Sequence, residues 1–328
     1  MQFSIFGQTG LTVSRMILGP GTFGMQTNEE ESHRMLDRTA DAGINFIDTA
    51  DVYPPGAEAG TAEVIIGRWL TQKRGEFILA TKGGGRIGPA AWDAGNSRKH
   101  LLDAIDASLR RLNTDYVDLY QLHMDDSSTP IDEAVGAMDT IVRSGRARYI
   151  GASNFLAYRL AKALGRQDAQ KLTRFVSIQP RYNLLLREFE RELLPLAKEE
   201  GLAVIPYNPL AGGLLTGKYS HGETPEAGRF SAELGGFGQA YYARYWHERE
   251  FETVARIQEI ANQSGAPITT VSVAWLLANP LINSVILGAS RVEQLTDTAI
   301  AADYKLDSAL KTQLDEVSIE FRRGDATA

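Results

Sequence analysis

The hydrophobic residues of this chain gather in eight short runs, separated by longer amphipathic stretches. Several runs are almost continuously apolar, which is typical of parallel strands buried on both faces. We predict strands at residues 15–19, 44–48, 77–82, 116–123, 148–153, 175–179, 203–207 and 283–288. Between them, apolar residues recur at helical spacing; examples are Leu101, Ile105, Leu109 and Leu112, and later Phe251, Val254 and Ile257. The pattern therefore alternates strand and helix along the chain.

Eight strand–helix repeats within 328 residues favour a (β/α)8 barrel, formed as one domain over residues 1–328. A doubly wound sheet is the alternative, and residues 19–24 (GPGTFG) have the letter pattern of its phosphate-binding turn. However, no helix pattern opens directly from these residues, and no acidic ribose ligand is evident beyond a following strand. We therefore interpret this segment as a loop at the mouth of a barrel.

Three segments lie outside the eight repeats. Residues 3–14 read as a β-hairpin with a turn at residues 7–10, placed to cover the floor of the barrel. Residues 308–321 predict a final extra helix. Residues 219–248 form a long loop after the seventh predicted strand, longer than a compact connection needs and rich in aromatic residues. Either a packed accessory structure or a lid over a substrate pocket would explain this loop.

Composition and charge narrow the possible functions. Thirty-four Lys and Arg residues against 41 Asp and Glu residues give a net charge of −7, which argues against nucleic acid or an anionic membrane as a partner. The absence of cysteine excludes disulfides, thiolate metal sites and cysteine nucleophiles. The start of the chain lacks a signal-peptide pattern, and no apolar stretch is long enough to span a bilayer. We expect a cytoplasmic protein with no membrane insertion.

Reactive side chains stand where predicted strands end, which is where barrel enzymes carry their chemistry. Asp48, Lys82 and His123 close the second, third and fourth strands, and Tyr53 follows Asp48 after four residues. A phenol can donate a proton, and a nearby ammonium lowers its pKa from about 10. A buried Lys needs a carboxylate such as Asp48, and a His can orient a carbonyl oxygen. Together these residues predict a carbonyl-polarising site that lacks only a reductant.

The same residues allow other interpretations. His123 followed by Asp125 and Asp126 suggests a metal, but no second His lies at ligand spacing, so we predict no metal site. Lys82 could instead form a Schiff base, as in barrel lyases. Residues 212–218 spell most of a phosphate-binding loop, but Tyr219 stands where the magnesium-binding Ser or Thr is required.

Seven segments carry a family resemblance, and each lies at the end of a predicted strand. They are FIDTADVY (46–53), LATK (79–82), DLYQLH (118–123), IGASNF (150–155), SIQPRYNLL (177–185), YNPLAGGLLTGK (207–218) and VILGASRVEQL (285–295). In this order they resemble the aldo-keto reductases over essentially the whole chain. The chain is most similar to the longer, prokaryotic-type branch, which also includes potassium-channel β-subunit-like proteins.

The resemblance implies a catalytic tetrad of Asp48, Tyr53, Lys82 and His123, with Tyr53 as general acid. It also implies NADPH, bound extended across the barrel mouth. The residues expected to contact this cofactor are Gly21, Thr22, Phe23, Asp48, Ser153, Asn154, Gln179, Tyr207, Asn208, Pro209, Leu210, Gly212, Leu214, Thr216, Lys218, Gly288, Ser290, Arg291, Gln294 and Thr298. Ser153, Asn154 and Gln179 would hold the carboxamide, and Tyr207 would stack on the nicotinamide. Residues 210–218 would cover the pyrophosphate, and Arg291 would bind the 2′-phosphate.

The chain departs from the family pattern at three positions. Thr298 stands where Asn often reads the adenine, and Asp297 stands where Glu is usual. Gly21 replaces a larger side chain, which would widen the substrate pocket. The implied activity is NADPH-dependent reduction of aldehydes or ketones to alcohols, with a small-molecule carbonyl as substrate. A nicotinamide-binding sensor or accessory subunit with low turnover is the alternative, and the oligomeric state stays open.

Overall fold

The computed structural model describes residues 1–223, 225, 228–231 and 235–322. The strands are β1 (Phe3–Ile5), β2 (Thr12–Ser14), β3 (Met16–Gly19), β4 (Phe46–Asp48), β5 (Ile78–Gly83), β6 (Val117–Leu122), β7 (Ala147–Ser153), β8 (Phe175–Gln179), β9 (Ala203–Val204) and β10 (Val285–Gly288). The helices are α1 (Glu29–Asp41), α2 (Thr61–Leu70), α3 (Arg98–Leu112), α4 (Ile131–Arg143), α5 (Ala157–Ala169), α6 (Leu193–Glu199), α7 (Gly235–Tyr245), α8 (Glu248–Gln263), α9 (Ile268–Leu277), α10 (Val292–Ala299) and α11 (Ser308–Val317).

Eight of these strands form one parallel sheet in the order β10-β3-β4-β5-β6-β7-β8-β9. The two ends of this order also meet. The backbone N–H of Asn283 donates to the carbonyl of Val204 at 2.9 Å, and that of Ile286 donates to Pro206 at 3.0 Å. Helices alternate with the strands along the chain, so the predicted (β/α)8 barrel is confirmed.

The strand β9 is shorter than the run 203–207 that the sequence predicts. Pro206 lies within that run and has no N–H to donate, so the regular ladder ends at Val204. The backbone nonetheless continues alongside β8, because Tyr207 N–H donates to the Pro180 carbonyl at 3.0 Å. Tyr207 therefore still reaches the mouth of the barrel, beside Arg181 on the neighbouring segment.

The predicted N-terminal hairpin is present as β1 and β2, which pair antiparallel. Phe6, in its turn, is fully buried and packs edge-on against Phe46 of the barrel interior, with ring centroids 5.8 Å apart. Gly7 has a φ of +57°, and a Cβ there would lie 2.8 Å from the backbone nitrogen of Ala203. The hairpin thus closes the floor with an apolar plug, and the polar mouth lies at the opposite end.

The segment after β9 contains helix α7, which the sequence did not predict. Two glycines open this helix, and its aromatic residues follow no single stripe, so no amphipathic pattern marks it. Two of its rings join a packed aromatic cluster: Tyr241 lies 6.2 Å from Phe230, and Tyr242 lies 5.0 Å from Trp246, between ring centroids. Residues 224, 226, 227 and 232–234 of this segment lie outside the described residues. The packing gives these rings a structural role.

The C-terminal extra helix begins at Ser308, as the sequence predicts, with Asp307 as its N-cap. It ends at Val317 and continues as a 3₁₀ turn, Ile319–Arg322. Within the described ranges, no helix combines the length and the apolar character that a membrane crossing needs. At the polar rim of the barrel, the segment FIDTADVY contains β4 and the residues that follow it, and the segment DLYQLH contains the end of β6.

Candidate active site

A layer of polar side chains covers the apolar interior of the barrel at the carboxyl ends of the strands. Asp48, Lys82, Gln121 and Gln179 project inward from β4, β5, β6 and β8, and each is at most 2% exposed. Residues two positions earlier on β4, β5 and β6 are apolar and also face inward, as the two-residue period of a strand requires. The sequence therefore changes from apolar to polar on the same face as β4, β5 and β6 reach the mouth.

Asp48 is the centre of this layer. The Lys82 ammonium donates to Asp48 Oδ2 at 2.6 Å and to the Thr49 carbonyl at 2.8 Å. Gln179 Nε2 donates to the same carboxylate oxygen at 3.1 Å, and Gln121 Nε2 donates to Oδ1 at 2.8 Å. Both oxygens of the buried carboxylate are therefore hydrogen-bonded, which is what allows a charge to stay in the interior.

Tyr53 and His123 lie above this ion pair. The Lys82 ammonium is 5.1 Å from the centroid of the Tyr53 ring, and the ring of His123 meets that of Tyr53 edge-on at 5.7 Å. Both rings are part-exposed at the mouth. The structure thus brings Asp48, Tyr53, Lys82 and His123 to one place.

The protonation of these groups follows from burial and from their neighbours. Burial raises the pKa of the Tyr53 phenol; the Lys82 charge lowers it, but the net shift is upward. The sequence led us to expect a net decrease, and desolvation is the larger effect that it did not reveal. Burial alone would lower the pKa of Lys82, but Asp48 and then Tyr53 raise it above its usual value. At neutral pH the phenol is protonated and the ammonium is charged.

His123 is neutral in this environment. Burial, and then the Lys82 charge, lower the pKa of His123 to about 3. Its backbone N–H donates to Gly83 at 2.9 Å, and its Nδ1 is enclosed with no partner among the described residues. A neutral imidazole can donate one N–H to a carbonyl oxygen without carrying a charge.

The same contacts bear on the alternatives. A Schiff base requires a neutral amine, whereas Lys82 is protonated and is held by Asp48 and Thr49, which argues against a lyase. In the part of the chain that the structure describes, no three His, Asp or Glu side chains are grouped to hold a metal ion.

The residues expected to hold a carboxamide meet at the edge of this site. Ser153 Oγ donates to the Gln179 carbonyl at 2.9 Å, and Asn154 Nδ2 donates to the His123 carbonyl at 2.9 Å. The Tyr207 hydroxyl donates to Asn154 Oδ1 at 2.8 Å. These bonds fix Asn154, whose φ of +56° turns the chain away from β7. Polar groups from three strands therefore converge beside the tetrad.

The loop 207–218 is shaped by its own backbone. Asn208 Oδ1 accepts from Gly212 N at 2.6 Å, and Gly212 and Gly213 have φ of +71° and +100°. Glycine adopts such angles without strain, so Gly212 and Gly213 permit the tight turns of this loop. The N–H of Gly213 donates to the Leu210 carbonyl at 2.8 Å. Thr216 Oγ1 donates to Gly213 O at 2.7 Å.

Several predicted cofactor residues also take part in the packing. Leu214 and Phe23 are at most 1% exposed and belong to the core. Thr22 Oγ1 donates to the Ala289 carbonyl at 2.8 Å, which ties the first loop to the last. Pro209 is buried, and Leu210 packs against the core. If these residues contact a ligand, they do so through the backbone or a small exposed part of the side chain.

Two cations lie close together near the end of this loop. Partial burial, and then the Arg291 charge, lower the pKa of Lys218. Neither side chain forms an ion pair with any carboxylate of the described residues. Two unpaired cations at one place repel each other and attract an anion.

The start of α10 lies beside these cations. Gln294 Oε1 accepts from the backbone N–H of Ser290 at 3.0 Å and from its hydroxyl at 3.2 Å. Thr298 Oγ1 donates to the Gln294 carbonyl at 2.7 Å, so its hydroxyl is engaged within the helix. Gly288, at the end of β10, is exposed next to this turn.

The space beside Gly21 is bordered by Arg229. One nitrogen of that guanidinium, Nη2, lies 3.8 Å from the position that a Cβ of Gly21 would occupy. Its carbon Cζ lies 5.8 Å from the ring centroid of Tyr241. The expectation that Gly21 widens the pocket therefore has to include Arg229 as part of the pocket wall.

Sequence reasoning missed Gln121, although a signal exists. It lies two residues before His123 on β6, and the strand period places both on the inner face. Arg229 and Tyr241 belong to the long loop 219–248, for which the sequence predicts either a packed accessory structure or a lid. No local pattern shows that they border the mouth, because their segment folds back from a distant part of the chain.

The chain is similar to known proteins over nearly its whole length. The model of the Aldo/keto reductase family matches residues 15–319. The chain is 37% identical to "Uncharacterized oxidoreductase YrpG" of Bacillus subtilis (strain 168), covering 97% of this chain and 96% of that protein. It is 36% identical to "Probable voltage-gated potassium channel subunit beta" of Arabidopsis thaliana, covering 92% of each. It is 34% identical to "L-glyceraldehyde 3-phosphate reductase" of Escherichia coli (strain K12), covering 92% of this chain and 87% of that protein. The protein is therefore an oxidoreductase that belongs to the aldo/keto reductase family.

Proposed function

We propose that the protein reduces aldehydes or ketones to alcohols with NADPH, using Tyr53 as the general acid. The observation that carries this proposal is the buried Lys82–Asp48 ion pair directly beneath a protonated phenol and a neutral imidazole. A proton donor at the mouth of a barrel, beside a cation that stabilises its conjugate base, suits the protonation of a carbonyl oxygen.

The described residues fit the proposed cofactor. Ser153, Asn154 and Gln179 supply amide and hydroxyl groups beside the tetrad, where a carboxamide would be held. The cations Lys218 and Arg291, which have no ion-pair partner among the described residues, lie at the other end of the loop and suit phosphate groups. NADPH, when bound, supplies the hydride that reduces the carbonyl carbon.

The protein's own residues supply the proton that the carbonyl oxygen accepts. The carbonyl oxygen accepts the hydroxyl proton of Tyr53 as the carbon is reduced, and the phenolate that remains is stabilised by the Lys82 charge. Asp48 keeps that charge in place, and solvent at the part-open mouth returns the proton. His123, being neutral, orients the oxygen with an N–H and does not compete as the acid. The pKa of Tyr53, raised by burial, ensures that the acid is fully protonated at neutral pH.

The test is Tyr53→Phe, which removes one hydroxyl and keeps the ring. Turnover of NADPH with a carbonyl panel should fall by about 100-fold or more, since general acid catalysis is worth about that much. The dissociation constant for NADPH should stay within twofold. Tyr158→Phe is the control, because Tyr158 is 67% exposed on α5. Turnover near the wild-type rate in the Tyr53 variant would contradict the proposal.

A second variant tests the cofactor choice. Arg291→Ala should weaken NADPH binding by roughly 10-fold or more, the usual loss for one charge-assisted hydrogen bond. NADH binding should change little, because NADH lacks the 2′-phosphate. Arg34→Ala, on the exposed face of α1, is the matched control. An equal loss for both cofactors would remove the basis for the NADPH assignment.

The second candidate is a nicotinamide-binding sensor or accessory subunit. The observation in its favour is the similarity to probable potassium-channel β-subunits. The two functions differ in turnover and not in cofactor affinity. Tight NADPH binding with negligible turnover across aldehydes and ketones would support the sensor, and rapid oxidation of NADPH with any of them would support the enzyme.

A further inference from the structure

We propose that Gln121 is a positioning residue of the proton-donating site, which keeps Asp48 oriented so that Lys82 presents its charge to Tyr53. This inference rests on the proposed function for its catalytic meaning. The juxtaposition behind it, an amide held against a buried carboxylate, does not depend on that function.

The side-chain amide of Gln121 is buried and forms hydrogen bonds with Asp48 and Gln179. Its side chain is 0% exposed on the inner face of β6. Nε2 donates to Asp48 Oδ1 at 2.8 Å, and Oε1 accepts from Gln179 Nε2 at 3.3 Å. The amide thus joins β4 to β8 across the barrel and has both its donor and its acceptor engaged.

The division of the Asp48 oxygens shows why this contact matters. Oδ2 is shared by Lys82 and Gln179, whereas Oδ1 has Gln121 as its one hydrogen-bond donor among the described side chains. Without Gln121, Oδ1 would be a bare, buried, charged oxygen. The Asp48 carboxylate would rotate, or would attract more strongly the proton that Lys82 donates to its Oδ2. In either case less positive charge would face Tyr53.

Gln121 also differs from the other amide in the layer. The two N–H groups of Gln179 already donate to Asp48 and Gln121, so a carboxamide held by Gln179 would compete with Asp48 for them. Gln121 lies earlier along the chain than His123 and, among the described residues, its Nε2 donates to Asp48 alone. Its hold on Asp48 is therefore available whatever occupies the mouth.

The kinetic test uses two variants of similar shape. Gln121→Leu removes the donor, and kcat should fall about tenfold at every pH while the dissociation constant for NADPH stays unchanged. Gln121→Glu can donate an O–H to Asp48 only while it is protonated, because two carboxylates in contact share a proton. Its kcat should approach the wild-type value near pH 5.5 and fall roughly tenfold relative to wild type by pH 8.

Gln167→Leu is the matched control. Gln167 is equally buried but accepts from the Phe175 N–H at the opposite end of the barrel, so its loss should change stability and leave the pH profile unaltered. If Gln121 merely fills space, Gln121→Leu will keep its kcat and Gln121→Glu will be impaired at all pH values. That pattern would overturn the proposal.

A stability measurement tests the contact between Gln121 and Asp48 without an activity assay. Gln121→Leu should lower the Tm of the wild type, and at least half of this loss should vanish when Asp48→Leu and Lys82→Met are already present. An equal loss of Tm in the wild type and in the Asp48→Leu, Lys82→Met variant would refute the proposal that Gln121 orients Asp48. If the wild type reduces no carbonyl, the proposed function fails. The comparison of Tm losses in the two backgrounds still tests the hydrogen bond between Gln121 and Asp48.

Discussion

Removing the Lys82 charge should destabilise the protein by an amount that the structure allows us to work out. Lys82→Met keeps the length of the side chain but leaves Asp48, 2% exposed, without its cation. Breaking a buried ion pair from one side typically costs about 3–5 kcal/mol, because an uncompensated charge remains. Two amide donors, from Gln121 and Gln179, still reach this carboxylate, so we expect the lower end, about 3 kcal/mol.

This free energy converts to a shift of the melting temperature. Unfolding entropy of about 2.1 cal/mol/K per residue, over 328 residues, gives roughly 0.7 kcal/mol/K, or about 1.5 °C for each kcal/mol. Lys82→Met should therefore lower Tm by roughly 4–5 °C in differential scanning calorimetry. Asp48→Leu together with Lys82→Met removes both charges and should recover most of this loss. A single variant within 1 °C of wild type, or a double variant below the single one, would refute the reasoning.

Three further outcomes follow from other parts of the molecule. Burial, and then Glu63, raise the pKa of Asp51 well above its usual value, so Asp51 disfavours folding increasingly as pH rises above about 4; Asp51→Asn should raise Tm more at pH 8 than at pH 5. Phe6→Ala should lower the free energy of unfolding by about 3–5 kcal/mol in urea titrations, since it empties the plug against Phe46, whereas an exposed plug residue such as Phe3 should tolerate alanine. Because the pKa of His123 is about 3, its imidazole NMR signals should show no titration between pH 5 and 8; a midpoint near 6.5 would contradict the enclosed environment.

The barrel could be predicted because several of the predicted strands are almost continuously apolar and most of them end in a polar side chain. That pattern reports burial and position together: Asp48, Lys82 and His123 each close a strand, and the carboxyl ends of parallel strands meet at one rim. The convergence of the tetrad therefore needs only the fold class and the order of the strands. The floor hairpin followed from its turn residues in the same way.

Other features depend on distances that no local pattern carries. In helix α7, Tyr241 and Tyr245 are buried but the neighbouring Tyr242 is exposed, so its aromatic residues do not by themselves mark the buried face. The direction of the Tyr53 pKa depends on whether desolvation exceeds the effect of Lys82, which requires knowing how deep the phenol lies. The partner of Gln121 lies 73 residues away on a strand two positions along the sheet. Such contacts become visible only after the barrel closes.

The cost of the buried ion pair bears on the choice between enzyme and sensor. A buried ion pair gives no stability advantage over apolar side chains of similar volume, so stability alone does not account for Lys82 and Asp48 in the barrel. Holding a nicotinamide would require polar groups at the rim, such as Asn154 and Ser153, but no cation beneath a phenol. In the proposed reaction, proton transfer requires that cation, because burial raises the pKa of the Tyr53 phenol and the phenolate would otherwise be too unstable. The variant that carries both Asp48→Leu and Lys82→Met separates proton transfer from cofactor binding. If the protein is an enzyme, this variant should fold and bind NADPH but lose turnover.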